Sequence, residues 1–268
     1  MITLASDFGT PYPAVMKGVL CQRTDARLID VAHDLPRQDV QTAAFWLRET
    51  LPYFPPAVHL VVVDPGVGTD RRGLVIRADE HVLVGPDNGV LLPVAERLTD
   101  GGTTSAFVID EERVDQPAVG GRSESTTFHG RDVFAPIAAA AHAVRPADLD
   151  SLEVLTSIDL DELVRGELPR ARVDGDVAYG SVLAVDDFGN VITNVSGRFL
   201  ETVDAVRVDG QYVPVGETFA SVDAGERLVV VGSHGFVELD VNSGRGDEAF
   251  DLTPGSSVEL ERIEVTPR

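Results

Sequence analysis

Residues 58–68 read VHLVVVDPGVG. A run that is apolar but for His59 climbs to a carboxylate, Asp64, and breaks on Pro65 and two glycines. A strand that does not alternate polar with apolar residues is covered on both faces, as in a sheet sandwiched between helices. The neighbouring text agrees. Upstream, ITLASD (2–7) reads as a strand and TPYPAVMKGVLCQR (10–23) as a helix, with Thr10 as its N-cap and a proline early. ARLIDVAHDL (26–35) is a strand, and DVQTAAFWLRETLPYF (39–54) has apolar residues at helical spacing. Downstream, GLVIRAD (73–79) and HVLVGPD (81–87) form a hairpin pattern, SAFVID (105–110) a strand, and RDVFAPIAAAAHAV (131–144) a buried helix. This alternation predicts an α/β domain with a largely parallel sheet.

The pattern changes after about residue 170. DGDVAYGSVLAVDDFGNVITNVS (174–196), AVRVDGQYVPV (205–215), RLVVVGSHGFVELDV (227–241) and SSVELERIEV (256–265) are β segments punctuated by Asp-Gly, Gly-Asn and His-Gly. They predict a second, small all-β, barrel-like domain. The expected division is 1–168 and 169–268, across VRGELPRARVDGD (164–176).

The chain has 268 residues, a net charge of −22 and one lysine, Lys17. Such a surface repels nucleic acid and anionic membranes, so neither is expected as a partner. The acids are scattered rather than gathered in a tail. An Asp/Glu-rich, Lys-poor surface suits concentrated salt, where mutual repulsion is screened, and points to a halophilic source. A single cysteine, Cys21, excludes an internal disulfide and a cysteine-based zinc cluster. No apolar stretch approaches the ~20 residues that span a bilayer. The opening ITLAS has no basic, signal-like lead. A cytoplasmic protein is the expectation.

Polar residues gather where strands end: Asp7, His33 and Asp34, Asp64, then Asp87 and Asn88 of GPDNG. In α/β sheets the crevice beyond the carboxyl ends of the strands is where ligands bind. The turn after Asp64 is not a phosphate loop of the Walker kind, because the closing Lys-Ser/Thr is missing. As a dinucleotide fingerprint it lacks the third glycine. It also has the look of the Asp-x-Gly-x-Gly turn of methyltransferases. A third reading combines it with STTFHGRDVFAP (125–136), where His129 stands at a loop-to-helix junction. Carboxylate, guanidinium and imidazole from separate segments then meet at one site.

The fragments SDFG, MKG, VVVDPGVGT, GPDNG, TFHGRDVFAP, DDFGNVITN and GS…GFVEL…NSG occur in this order, nearly end to end. The set resembles the S-adenosyl-L-methionine (SAM) hydrolases that form adenosine, also called SAM hydroxide adenosyltransferases, which are relatives of fluorinase and chlorinase. The resemblance implies an α/β domain followed by a small β-barrel, and a homotrimer with SAM bound between subunits. SAM is then the substrate, adenosine and L-methionine the products, and no cofactor or metal is required. It implies Asp64, Arg71 and His129 as the catalytic set, with neighbouring Arg72 on the surface. It also implies Asp7 on the ribose hydroxyls, Asp186 and Asn190 on the nucleoside or methionine part, and Ser233, Phe236, Glu238 and Asn242 around adenine and the methionine tail. After NSG the family pattern usually continues through Asn-Ala, whereas this chain has Arg245-Gly-Asp-Glu-Ala249.

These residue types suit the chemistry. The sulfonium of SAM makes ribose C5′ electrophilic and methionine a neutral leaving group. A cationic Arg71 beside His129 favours hydroxide over water by charge stabilisation. His129 is the candidate proton acceptor, and Asp64 orients the arginine and the water. Fluorinases have Tyr-Pro where this chain has Asp64-Pro65, and Tyr where it has His129. A carboxylate there repels a halide that must be desolvated to react. A SAM-dependent halogenase and a non-catalytic SAM- or nucleoside-binding module are the alternatives.

Overall fold

The structure, a computed structural model, describes residues 1–99, 102–114 and 127–263. The chain divides into two compact units, Met1–Glu167 and Leu168–Arg268. In the first, β1 (Ile2–Ser6), β2 (Leu28–Ala32), β3 (Val58–Val62), β4 (Gly73–Ala78), β5 (His81–Pro86), β6 (Thr104–Ile109) and β7 (Leu155–Ile158) make one sheet in the order β2-β1-β3-β5-β4-β6-β7. Its helices are α1 (Tyr12–Cys21), α2 (Val40–Thr50), α3 (Leu92–Leu98) and α4 (Ala135–His142).

The central strand behaves as its sequence requires. Val58, Leu60 and Val62 pack with Met16 and Leu20 of α1 and Ile137 of α4. Val61 and Val63 pack on the other face with Ala43 and Leu47 of α2 and Val94 of α3. Both faces of β3 are therefore covered. The expectation of a largely parallel sheet is corrected: β1–β2, β1–β3 and β3–β5 are parallel, whereas β4–β5, β4–β6 and β6–β7 are antiparallel. The tight turn at Asp79, with φ +52, gives the reason. Strands joined by so short a link can only run antiparallel, and the later strands add to that reversed edge.

Local signals explain the helix starts. Asp39 accepts from Thr42 N at 3.0 Å and caps α2. The expected cap of α1, Thr10, is displaced: Pro11 takes the N-cap position and no side chain caps this end. Helix α4 follows a π-turn at Gly130–Phe134, and α3 has no counterpart in the sequence reading.

The second unit contains β8 (Arg172–Asp174), β9 (Val177–Val185), β10 (Val191–Ser196), β11 (Ala205–Val208), β12 (Gln211–Pro214), β13 (Arg227–Val231), β14 (Phe236–Val241) and β15 (Ser257–Arg262), with one short helix, α5 (Gly246–Phe250). The order is β12-β11-β15-β9-β10-β14-β13, with β8 on β9, and every pair of strands is antiparallel. A bridge between Val215 and Val229, with Gly216 N bonded to Val229 O, brings the two edges together into a nearly closed barrel. Val182, Val191, Val206, Val229, Val237 and Leu239 contribute to its core. Asp209 and Gly210 both have positive φ, the signature of the two-residue turn that joins β11 to β12.

Candidate active site

Strand β3 ends at Val62, and Asp64 stands two residues beyond it. The turn that follows is held by Val67 N to Asp64 O, Thr69 N to Gly66 O and the Thr69 hydroxyl to Gly66 O. Gly68 sits at φ +79, where a side chain is strained. A Cβ on Gly66 would stand 3.2 Å from Cγ of Arg71. The glycines thus let the chain reverse and let the arginine stem fold back over the turn.

Arg71 is the hub of what results. Its Nε donates to both oxygens of Asp64 at 3.0 Å, and Nη2 donates to Asp64 Oδ2 at 2.5 Å. Nη2 also donates to His129 Nδ1 at 2.6 Å, and Nη1 to Glu111 Oε1 at 3.2 Å. Glu111 Oε2 lies 3.6 Å from His129 Nδ1. The guanidinium stacks 5.0 Å from the Phe134 ring. The side chains of Arg71 and Asp64 are 8% and 4% exposed, so the pair is formed largely out of water, where charge-assisted bonds are strong.

His129 is carried by the start of the π-turn. Gly130 is needed beside it, because a Cβ there would come within 2.9 Å of the Met16 sulfur. Asp64, His129 and Gly130 border a cavity of about 260 Å³ whose walls include Phe8, Tyr12 and Phe128. Those three rings meet edge to face at 5.5–6.1 Å. Residues 125 and 126 of the motif around His129 lie outside the described residues.

The other strand-end residues have local partners. Asp7 Oδ2 accepts from Gln38 N at 2.8 Å, and Asp7 is not part of the cavity wall. His33 bonds Ser6 and Asp30. Asp87 receives Arg72 Nε at 2.8 Å and Val164 N at 2.9 Å. Arg72, its side chain one-third exposed as expected of a surface residue, also donates to Glu162 O and so clamps this segment. Asn88 ties Val63 O to Val90 N.

In the second unit the candidates separate along β14. Asp186 accepts from Phe188 N, Asn190 N and Asn190 Nδ2 at 2.9 Å, which closes the β9–β10 turn. Asn190 thus adjoins the Leu239–Asp240 part of β14, because Val191 pairs with Leu239. Phe236 begins β14, Ser233 lies three residues before it in the preceding turn, and Asn242 stands just past the strand's end, about 20 Å from Phe236 at ~3.3 Å per residue. The Asn242 amide donates to Val222 O. Glu238 lies against Gly232, where a Cβ would overlap its carboxylate. Burial, then Asp186, pushes the Glu238 carboxyl up to about 7.

Two residues that the sequence reading missed belong to these clusters. Glu111 follows β6, and the rule that drew attention to the other strand ends would have found it. Asp240 is fully buried, and neither of its oxygens has a hydrogen-bond partner among the described residues. Burial, then Glu238 and Asp186, pushes it up to about 7. No group of three or more His, Cys, Asp or Glu among the described residues is placed to hold a metal ion. No helix among them is long and apolar enough to cross a membrane.

An α/β unit with a charged cluster beyond its central parallel strand, followed by an antiparallel barrel-like unit, places the chain in a class of two-unit proteins. Comparison with known proteins makes the class specific. Residues 2–152 match the family description "SAM hydroxide adenosyltransferase N-terminal domain", and residues 180–259 match the corresponding C-terminal domain. The (R)-S-adenosyl-L-methionine hydrolase of Salinispora tropica is 40% identical over 269 residues, covering 99% of this chain and 97% of that protein. The hydrolase of Thermus thermophilus is 42% identical, covering 95% and 97%. A fluorinase of Actinopolyspora mzabensis is more distant, at 26% over 98% of this chain and 97% of its own length. The crystal structure of an uncharacterized conserved protein from Thermotoga maritima has a TM-score of 0.80 at 32% identity and covers 98% of this chain and 100% of that one. This chain belongs to the SAM hydroxide adenosyltransferase family.

Proposed function

We propose that the protein hydrolyses SAM at ribose C5′, giving adenosine and L-methionine. The observation that carries this reading is Arg71 bonded at once to Asp64 and His129, with Asp64 and His129 on the wall of an aromatic-lined cavity. Water oxygen forms the bond to C5′ while the C5′–S bond breaks, and the pair of electrons leaves on the methionine sulfur. Arg71 stabilises charge developing on the attacking oxygen. Asp64, fully engaged with Arg71, orients rather than abstracts. His129 takes the proton. Holding water and C5′ in line supplies much of the acceleration.

Within this reading Asp7 contacts the ribose hydroxyls through Oδ1, since Oδ2 is occupied by Gln38. Asp186, Asn190, Ser233, Phe236, Glu238 and Asn242 contact the rest of SAM. No cofactor takes part, the site is shared between copies in a homotrimer, and the enzyme works in the cytoplasm without nucleic-acid or membrane partners. The net charge of −22 supports the last point.

Incubating the purified protein with SAM, at high and low salt and with or without halide, tests the reading. Adenosine and methionine in equal amounts are expected. Absence of adenosine under every condition would sink it, and halide-dependent 5′-halo-adenosine would make the protein a halogenase. Light scattering of the purified chain tests the trimer.

A further inference from the structure

His129 Nδ1 faces two groups that want opposite things from it. Arg71 Nη2, 2.6 Å away, has only protons to offer, because a guanidinium has no acceptor. While that bond stands, Nδ1 keeps its lone pair and the neutral ring carries its proton on Nε2. Such a ring cannot take a proton from water at Nε2. Glu111 Oε2, 3.6 Å from the same nitrogen, has only lone pairs to offer when ionised. A proton on Nδ1 can go to Glu111 and to no other group described at that nitrogen. The proton then leaves Nε2 with its lone pair free.

We infer that Glu111 is a positioning residue that selects the base-competent tautomer of His129. The inference rests on the hydrolase reading above. Its steps balance: Nδ1–H donates to Glu111, Nε2 takes the proton of the attacking water, and the resulting imidazolium lies against the Glu111 carboxylate. Arg71 gives up one bond in the exchange and keeps its three bonds to Asp64 and the one from Nη1 to Glu111 Oε1. The 1 Å difference between the two contacts at Nδ1 means that the resting site favours Arg71. Closing the longer one belongs to the substrate-bound state, since catalytic hydrogen bonds often tighten only there. The Arg71 Nη1 bond to Oε1 at 3.2 Å holds the Glu111 side chain here, and Gly73 leaves room for it, as a Cβ there would stand 3.3 Å from Oε1. A carboxylate that fixes the tautomer of a catalytic histidine is a recurrent device.

The full-length chain, its Glu111→Ala and Glu111→Gln variants, and ¹⁵N-histidine spectra provide the test. His129→Asn identifies the ring signals among the six histidines. In Glu111→Ala, kcat should fall about 10–100-fold, up to the lower end of acid–base contributions because His129 itself remains, while KM stays within about two-fold. Glu111→Gln, which retains an uncharged acceptor, should fall between wild type and Glu111→Ala. With the product adenosine bound, the wild-type ring should populate both tautomers and the Glu111→Ala ring only the Nε2–H form. Equal kcat in wild type and Glu111→Ala, or identical ring spectra in wild type and both variants, overturns the inference. If Glu111→Ala does not fold, Glu111→Gln carries both measurements. If the wild type forms no adenosine, the hydrolase reading fails, and the spectra still decide whether Glu111 sets the tautomer.

Discussion

Asp64 and Asp240 are both buried carboxylates, one in each unit, and their surroundings differ completely. Asp64 takes three bonds from Arg71, which in turn holds His129 and Glu111. Asp240 takes none among the described residues, and the groups nearest it in effect, Glu238 and Asp186, are acids. Arg245, at the start of α5, spends its guanidinium on Asp247, Glu248 and Asp187 O. The first unit therefore supplies its own countercharge. In the second, a proton or a cationic ligand must supply it. The first cluster is closed by its own ion pairs, whereas the second is an open, titratable element, its two carboxyls raised by burial and by neighbouring acids.

Breaking the closed network should have the largest effect. Arg71→Ala leaves Asp64 a buried, uncompensated charge, so we expect a loss of about 3–5 kcal/mol in urea unfolding. The same variant should lose about 10²–10³-fold in kcat, as when a transition-state donor is removed, with SAM binding by calorimetry largely retained. Equal loss of binding would make Arg71 a ligand-holding group.

The open cluster should respond in the opposite direction. Glu238 and Asp240 have folded-state values raised to about 7, so the folded chain holds protons that the unfolded chain releases. Their contribution is fully present below about pH 4 and is lost as pH rises to about 7. Asp240→Asn should accordingly stabilise the second unit at pH 8, by on the order of 2 kcal/mol, and change little at pH 4. Hydrogen exchange of peptides from β14 reads this without interference from the first unit. A destabilised variant at pH 8 would mean that Asp240 has a partner in solution.

A buried histidine gives the first unit the reverse pH dependence. His59 is fully buried, bonds Thr3 at 2.7 Å and His81 at 2.8 Å, and is pushed down to about 3 by burial and by His81. The unfolded chain therefore binds the extra proton. Stability is fully present above about pH 6.5 and falls as pH drops towards 3. His59→Gln should flatten this acid limb by about 2 kcal/mol at pH 5 relative to its own value at pH 8, measured by exchange of β3 peptides. The smallest effect is expected at the turn. Gly68→Ala, at φ +79, should cost about 1 kcal/mol in urea unfolding and leave the Arg71–Asp64 pair intact.

Much of the fold could be read from the chain because single elements announce themselves. The unbroken run 58–63 required cover on both faces, and β3 has it. Asp-Gly at 209–210 required a tight hairpin, and both residues have positive φ. The parallel character was overestimated because the turn at Asp79 reverses the rest of the sheet, and a local hairpin pattern does not say how many strands will follow it. That a carboxylate, a guanidinium and an imidazole from separate segments meet could be read from the motifs, but the choice of Arg71 as the guanidinium came through resemblance, since His129 lies 58 residues from Arg71. Glu111 was passed over although it directly follows the strand read at 105–110, because the strand-end rule was not carried to that strand. Asp240 was passed over because a carboxylate in a β segment looks solvent-facing until the covering elements are known. Arg72 shows the same limit, since its partner Glu162 O is 90 residues away.

The turn at 64–71 also has a bearing on how the site comes together. Asp64 and Arg71 are seven residues apart, whereas Arg71 is 40 residues from Glu111 and 58 from His129. Closing a loop of 58 rather than seven residues costs about 2 kcal/mol more in chain entropy. The carboxylate–guanidinium half of the cluster is thus a local contact that a short segment can form by itself, and the imidazole is its long-range arrival. In a refolding experiment the carboxylate–guanidinium pair should be in place before the cavity has a wall, so that the docking of the 128–134 segment is the step that converts an ion pair into an active site.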